Sequence, residues 1–115
     1  MKTLHIRIET LDEVRAAVTA ALASGKPEPE SGLSFTSYDT MHRVLSPKRL
    51  AIVKAMTGHG PLSIREIARR VGRDFKGVHT DVSALLAAGV VDRTKEGVVF
   101  PYDAIRVEFD IAAAA

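Results

Sequence analysis

The clearest hydrophobic pattern in the chain lies between residues 62 and 89, where two apolar series repeat every three or four positions. The first series is Ile64, Ile67, Ala68 and Val71, and the second is Phe75, Val78, Val82, Leu85 and Leu86. This period places one apolar stripe on a helix. Ser63 with Glu66 forms a capping box for the first helix, and Asp74 can cap the second. Gly72 and Gly89 favour helix ends. The pattern therefore predicts two helices joined by a short turn, as in a helix-turn-helix unit.

Beyond Gly89 the apolar period shortens. Val90 and Val91 precede the charged run DRTKEG, and Val98, Val99 and Phe100 follow it. Two short apolar runs around a polar segment predict a hairpin with a charged tip. Two helices followed by a hairpin predict a winged helix-turn-helix.

The ends of the chain carry a second kind of pattern. Residues 2–9 alternate between apolar and polar, and so do residues 105–111, which predicts two half-buried strands. We expect these strands to pair with each other or across a two-fold axis, because each has an edge to cover. A shorter alternation at residues 33–38 predicts a third strand that pairs with the first.

Three further helices are predicted from capping residues. Thr10 with Glu13 starts a helix with the apolar stripe Leu11, Val14, Val18, Ala21 and Leu22. We expect this stripe to pack on the rest of the chain, and the alternative is a partner or dimer surface. Asp39 can cap a short helix, and Ser46-Pro47 starts another, in which Leu50 and Val53 face the core together with Met56 or Ile52.

The fold class predicted from these elements is α+β, a winged helix-turn-helix with an extra N-terminal strand-helix-strand segment and a C-terminal strand. The run GKPEPESG at residues 25–32 has two prolines and no apolar residue, which predicts a surface loop or linker. We place a docking or dimerisation segment at residues 1–32 and a DNA-binding domain at residues 33–115.

Composition narrows the class of protein. At 115 residues, with 46% hydrophobic and 26% charged residues, the chain has the profile of one globular domain. The absence of cysteine excludes disulfides, thiolate metal sites and cysteine nucleophiles. The N-terminus lacks the features of a signal peptide and no apolar run approaches ~18 residues, so we expect a cytoplasmic protein without membrane contact.

Positive charge is concentrated in the middle of the chain. Residues 42–80 hold nine lysines and arginines and two acids, a net charge of +7, whereas the remainder has seven cations and twelve acids, a net charge of −5. A cationic patch on a helix-turn-helix is the electrostatic footprint expected for phosphate binding.

Catalytic or metal chemistry is not predicted. The histidines at positions 5, 42, 59 and 79 fall at no ligand spacing, and the chain has no phosphate-binding glycine loop or nucleophile elbow. Glu66 and Asp81 are interpreted as helix-surface charges. We expect no enzyme, no cofactor and no metal.

The segment LLAAGVVDR resembles the end of the recognition helix and the first wing strand of MarR-like and ArsR-like regulators. The runs LSPKRLAIVKAM, SIREIARRVG, VHTDVSALLAAGVV and VVFPYDAIRVEF are similar to those of a small family of predicted prokaryotic winged-helix DNA-binding proteins. Some of its relatives resemble the antitoxins of toxin-antitoxin pairs. The resemblance covers about residues 35–111 and implies DNA as the partner.

Candidate contact residues follow from this interpretation. On the second helix, Arg73, Lys76 and Thr80 are placed to approach base edges, and Gly77 lets the helix backbone come close. The alternative is a merely solvated helix face. Contacts to phosphates or from the wing are expected from a second set: Lys48, Arg49, Arg65, Arg69, Arg70, His79, Ser83, Arg93 and Lys95.

The predicted function is sequence-specific binding of double-stranded DNA by a homodimeric regulator, in the first place a repressor. The alternative is an antitoxin-type interaction protein that binds and neutralises a partner protein, a toxin, and autoregulates its operon. A winged helix used only for protein contact or RNA is a third hypothesis.

Overall fold

The computed structural model describes residues 1–25 and 32–113. Its helices and strands follow in the order β1 (Thr3–Ile8), α1 (Leu11–Ser24), β2 (Gly32–Phe35), α2 (Tyr38–Val44), α3 (Pro47–Met56), α4 (Ile64–Val71), α5 (Phe75–Ala88), β3 (Asp92–Thr94), β4 (Gly97–Val99) and β5 (Ala104–Glu108). The predicted α+β class is confirmed. In this part of the chain, no helix is long and apolar enough to cross a bilayer. The loop predicted at residues 25–32 falls mostly on residues 26–31, which lie outside the described residues.

The two terminal strands lie side by side, as their alternation predicted. β1 is the central strand of a three-stranded parallel sheet of order β2-β1-β5. Ile6 lies opposite Leu33 on one side and Val107 on the other. Parallel neighbours need a long crossover, which α1 supplies between β1 and β2. The pairing of β1 with β5 is made within one chain, and the predicted boundary at residue 32 falls inside this sheet.

One hydrophobic core joins the sheet to the helices. Leu4 and Ile6 of β1 are buried, and they belong to the same cluster as Ile52 of α3, Ile67 of α4 and Leu85 of α5. Each lies on the apolar stripe of its element, which is why the amphipathic pattern appears in the sequence. β1 is therefore packed on the helical part of its own chain.

Local capping chemistry sets most helix starts as predicted. The side chains of Thr10, Ser46, Ser63 and Asp74 each accept a hydrogen bond from the backbone N–H three residues ahead. The prediction that Asp39 caps α2 is wrong, because the Ser37 hydroxyl accepts from Thr40 N–H at 3.1 Å and takes that position. Asp39 lies in the first turn instead, where its charge favours the helix dipole.

The hairpin is shorter than predicted at its start. Val90 and Val91 are buried but precede β3, so the strand prediction for them is wrong. Gly89 adopts a left-handed conformation and Val90 N–H donates to Leu85 C=O at 3.0 Å, which completes a Schellman cap. β3 is formed by residues 92–94, which were assigned to the charged tip, and it pairs antiparallel with Gly97, Val98 and Val99 of β4. Leu62 adds a third backbone partner, with two 2.8 Å bonds to Val98.

Several predicted apolar faces are not buried. No described side chain of α1 is buried, so the expectation that its stripe packs on the chain is wrong. Leu50, which was assigned to the core, and Phe75, the first member of the apolar series of α5, are also exposed. Periodicity locates an apolar stripe, but the neighbours that cover it depend on tertiary contacts.

Candidate nucleic-acid interface

The site is built on α4, α5 and the turn between them. Gly72 ends α4 in a left-handed conformation with φ of 68°, and its N–H bonds back to the last turn. Asp74 starts α5 by accepting the Gly77 N–H at 2.9 Å. Only Gly72, Arg73 and Asp74 separate the two helices, so the direction of α5 is set within three residues.

One face of α5 is anchored and the opposite face is free. Val78, Val82 and Leu85 are buried against α3 and α4. Lys76, His79, Thr80 and Ser83 lie on the exposed face, as predicted. The Thr80 hydroxyl donates to the Lys76 C=O at 3.1 Å, so its oxygen retains acceptor capacity for an external donor.

Gly77 has a local packing role at this end of α5. A Cβ atom there would lie 3.1 Å from Asp74 Oδ1 and 3.2 Å from Arg73 Nη2. A side chain would therefore crowd the capping carboxylate and the neighbouring guanidinium. The proposed close approach of a ligand to this backbone stays a prediction.

Two of the predicted cations meet at one carboxylate. Arg49 Nε donates to Asp81 Oδ1 at 3.0 Å, and Arg73 Nη1 forms an ion pair with Asp81 Oδ2 at 2.8 Å, off the line of a good hydrogen bond. We call Arg49, Arg73 and Asp81 the Asp81 cluster. Its three side chains are only 20%, 24% and 14% exposed. The cluster ties α3 and the turn to α5.

Hydrogen bonding decides the charge state of the Asp81 carboxyl. Partial burial raises its pKa, but the hydrogen bond from Arg49 and the positive charges of Arg49 and Arg73 together outweigh burial and hold the pKa below its usual value. Arg49 also donates to the carbonyl oxygens of Arg43 and Val44 at 3.1 and 3.4 Å. Interpreting Asp81 as a plain surface charge is therefore wrong.

A second cluster lies on the surface of α4. Glu66 accepts from Arg69 Nε at 2.9 Å and from Arg70 Nε at 3.0 Å, and a further bond joins it to Arg69 Nη2. We call these residues the Glu66 cluster. The hydrogen bonds from the two arginines lower the pKa of Glu66 to about 2 and raise that of Arg69. Arg70 Nη1 also lies 3.1 Å from His59 Nε2.

An exposed aromatic residue at the start of α5 was missed by the sequence analysis. Phe75 is 42% exposed, and the Arg65 guanidinium lies over its ring at 4.8 Å from the centroid. The His79 ring lies 5.8 Å away on the next turn. Arg65, Phe75 and His79 thus form one surface beside Lys76. The sequence does hold a signal for this exposure, because Phe75 directly follows the cap residue Asp74 and so lies in the first turn of α5.

The remaining predicted residues lie on other elements. Lys48 is exposed in the first turn of α3, and Arg93 and Lys95 are exposed on the β3–β4 hairpin. The Thr94 hydroxyl holds the hairpin turn by accepting from Glu96 N–H at 3.2 Å and donating to Gly97 C=O at 3.0 Å. The structure therefore groups predicted residues in three pairs, Arg49 with Arg73, Arg69 with Arg70, and Arg65 with His79, and it leaves Lys48 and the hairpin cations separate.

Comparison with known families places this region in context. The family model HVO_A0114 matches residues 44–107, more than half of the chain. The chain belongs to the HVO_A0114 family. The segment shared with that family runs from Val44 of α2 to Val107 of β5, so it contains the three helices, the hairpin and every residue predicted to contact DNA. β1, α1 and β2 lie outside the HVO_A0114 match. No curated protein and no solved structure matches the chain.

Proposed function

We propose that this protein binds double-stranded DNA through α5 and regulates transcription, as a homodimeric repressor built on a winged helix-turn-helix. The observation that carries the proposal is the free N-terminal half of α5. Lys76, His79 and Thr80 face solvent there, while the opposite face of the helix is anchored in the core. A helix held this way suits the major groove.

The order of elements supports the same proposal. α3, the backbone bridge at Leu62, α4, α5 and the β3–β4 hairpin follow one another in the chain. The bridge joins the hairpin to the segment before α4. A hairpin fixed beside a helix-turn-helix is positioned to contact DNA next to the groove that the helix enters.

The net positive charge of this region also favours binding of a polyanion such as DNA. The Asp81 cluster and the Glu66 cluster each contain two arginines and one carboxylate, so each carries a net charge of +1. Lys48, Arg65 and Lys76 make no ion pair with any described residue. The positive charge of this region therefore survives the internal ion pairs and remains available for phosphate.

The ion pairs suggest a division of roles. A cation without an internal partner can contact a base edge directly, and Lys76 with Thr80 fits that role. Arg49 and Arg73 are already bound by Asp81, so we assign them chiefly to holding α5 in place. Direct base contact by Arg73 stays a prediction, with Asp81 as its competitor. Arg93 and Lys95 are assigned to the minor groove or its phosphates.

Selection of bound duplexes from a random pool, followed by fluorescence anisotropy, tests the proposal. Lys76→Ala and Thr80→Ala should each weaken binding to the selected duplex by about 1–3 kcal/mol and relax one position, whereas Lys48→Ala should weaken all duplexes alike. Arg15→Ala on the exposed side of α1 is the matched control and should change nothing. No enrichment from the pool at low salt would contradict the proposal.

Phe75 has a separate expected role at the same site. An exposed aromatic side chain next to Lys76 suits contact with a thymine methyl group. When the thymines of the selected duplex are replaced by uracil one at a time, the replacement at one position should weaken binding by the parent protein. The Phe75→Ala variant should bind the thymine and uracil duplexes equally. Equal discrimination by the Phe75 variant and the parent protein would exclude this contact.

A second candidate function, an antitoxin that also autoregulates, is favoured by α1. Its residues Leu11, Val18 and Leu22 are exposed and form part of the unburied stripe. Such a stripe fits a groove of a partner protein. A neighbouring reading frame that is toxic alone and is neutralised by this protein would support the function. Leu22→Glu should then abolish neutralisation and leave DNA affinity unchanged.

A further inference from the structure

β5 presents an open strand edge. It is the last strand in the order β2-β1-β5, and no described residue pairs with its outer side. Val107 and Phe109 are exposed although they continue the apolar alternation of the strand, and Ile111 beyond them is 92% exposed. An uncovered edge with an apolar face is a surface for adding another strand.

The backbone groups that point outward can be assigned from the sheet register. Glu9 N–H donates to Phe35 C=O, so the odd-numbered residues of β1 bond to β2 and its even-numbered residues bond to β5. Since Leu4 lies opposite Ile105, the bonds to β1 come from Arg106 and Glu108. The N–H and C=O groups of Ile105 and Val107 therefore face the open edge.

We propose that this edge binds β5 of a second copy of the chain, antiparallel, with a two-fold axis through Val107. Val107 then pairs with its own counterpart and exchanges both backbone hydrogen bonds with it. Ile105 lies opposite Phe109 of the second copy on the apolar face. On the other face, Arg106 lies opposite Glu108 of the second copy, and Glu108 lies opposite Arg106. The two three-stranded sheets join into one.

The charges select this register over its neighbours. Within one strand, Arg106 Nε lies 2.8 Å from Glu108 Oε1, so both side chains share one face. An axis through Arg106 would place two arginines opposite each other, and an axis through Glu108 would do the same with two glutamates. Like charges directly opposite are destabilising, whereas opposite charges stabilise a strand pair. Only the axis through Val107 makes both pairs attractive.

The dimer formed at this edge rests on the proposed function, which contains a homodimer, and it gives that homodimer its surface. It is tested by mass in solution without DNA, so its failure would leave DNA binding untouched. Failure of DNA binding would equally leave the dimer in place.

Charge reversal provides the experiment, read by light scattering and sedimentation of the full chain. Arg106→Glu and Glu108→Arg should each weaken dimerisation by roughly tenfold or more, because two attractive cross-strand pairs become repulsive. The double variant R106E/E108R should restore the parent dimer. Both side chains are exposed, so circular dichroism should show an unchanged fold.

Mixing the two single variants separates the interface from effects within one strand. The R106E strand carries negative charges at both positions 106 and 108, and the E108R strand carries positive charges at both. Every cross-strand pair in a mixed dimer is then attractive, so the heterodimer should form more tightly than either homodimer. The internal pair of each strand stays broken in the mixture, so only contact between copies explains such a rescue.

Other outcomes overturn the inference. A parent protein with the mass of one chain at every concentration would exclude the dimer. A dimer that both single variants leave intact would place the interface elsewhere. Leu22→Glu on α1 is the comparison variant: it should not affect the dimer, and dissociation by that change would assign the interface to α1.

Discussion

Asp81 is the residue whose replacement tests how the site is held. Asp81→Asn leaves the shape of the side chain and removes the charge that faces Arg49 and Arg73. Exposed ion pairs contribute ~0–1 kcal/mol, and removing one partner of a fully buried pair costs ~3–5 kcal/mol. With the three side chains 14–24% exposed, the cluster lies between these limits. Arg49 keeps two carbonyl acceptors, which reduces the loss. We expect Asp81→Asn to lower the free energy of unfolding by about 2 kcal/mol.

Urea unfolding measures this change in free energy, provided that the dependence on urea concentration is the same in the variant and the parent protein. In thermal unfolding, the melting temperature should be lower by roughly 5–10 °C. Glu66→Gln is the matched control, because Glu66 also contacts two arginines but its side chain is 30% exposed and that of Arg69 is 73% exposed. It should change stability little. Equal effects of the two substitutions would refute the argument that partial burial makes the Asp81 cluster structural. A double variant that combines Asp81→Asn with replacement of Arg73 should recover part of the lost free energy of unfolding, because it also removes the guanidinium that Asp81→Asn leaves unpaired.

Two further predictions concern acid and the hairpin. The pKa values of Asp81 and Glu66 are both lowered on folding, so their contributions are complete above the unfolded values and are lost as pH falls below about 4. The urea midpoint of the parent protein should therefore fall between pH 7 and pH 3, and the fall should be smaller for Asp81→Asn. An identical pH profile of the two proteins would exclude the Asp81 carboxyl as a source of the acid sensitivity. Gly97→Ala should cost about 2 kcal/mol or more, because φ is 144° and the new Cβ would lie 2.6 Å from the Leu62 carbonyl oxygen. Gly58 has a left-handed φ of 78°, but no atom lies within 4 Å of an added Cβ, so Gly58→Ala should lower the free energy of unfolding less than Gly97→Ala does. Equal losses of free energy in urea unfolding would show that the clash with Leu62 is relieved.

Local signals predicted most of the elements. A serine, threonine or aspartate followed by helical periodicity identified four helix starts, because a cap is satisfied within three residues of the chain. The start of α2 was wrong because Ser37 and Asp39 are both good caps and sequence alone does not rank them. Val90 and Val91 were assigned to a strand because a buried helix cap and a buried strand have the same apolar composition.

Tertiary contacts explain what sequence could not predict in the site. Arg49 and Asp81 are 32 positions apart, so no spacing rule connects them. Their ion pair exists because α3 and α5 pack side by side. Phe75 fits the helical phase of Val78 and Val82, but it lies at the first turn of α5, where its ring meets Arg65 rather than the core. Exposure at such a position depends on where the neighbouring helix ends.

Clustered cations alone do not define a phosphate site, because carboxylates between them can neutralise the field. In the Glu66 cluster the carboxylate has a pKa of about 2, so it stays charged at neutral pH and opposes an approaching phosphate. The same carboxylate holds two guanidinium groups in fixed orientations through Arg69 Nε and Arg70 Nε. A guanidinium has five N–H donors, and these bonds use only some of them. The net charge of +1 favours attraction, and the fixed orientation reduces the entropy lost on contact. Under the proposed function, we expect the Glu66 cluster to orient its arginines for phosphate rather than to cancel their charge, and the more buried Asp81 cluster chiefly to hold α5.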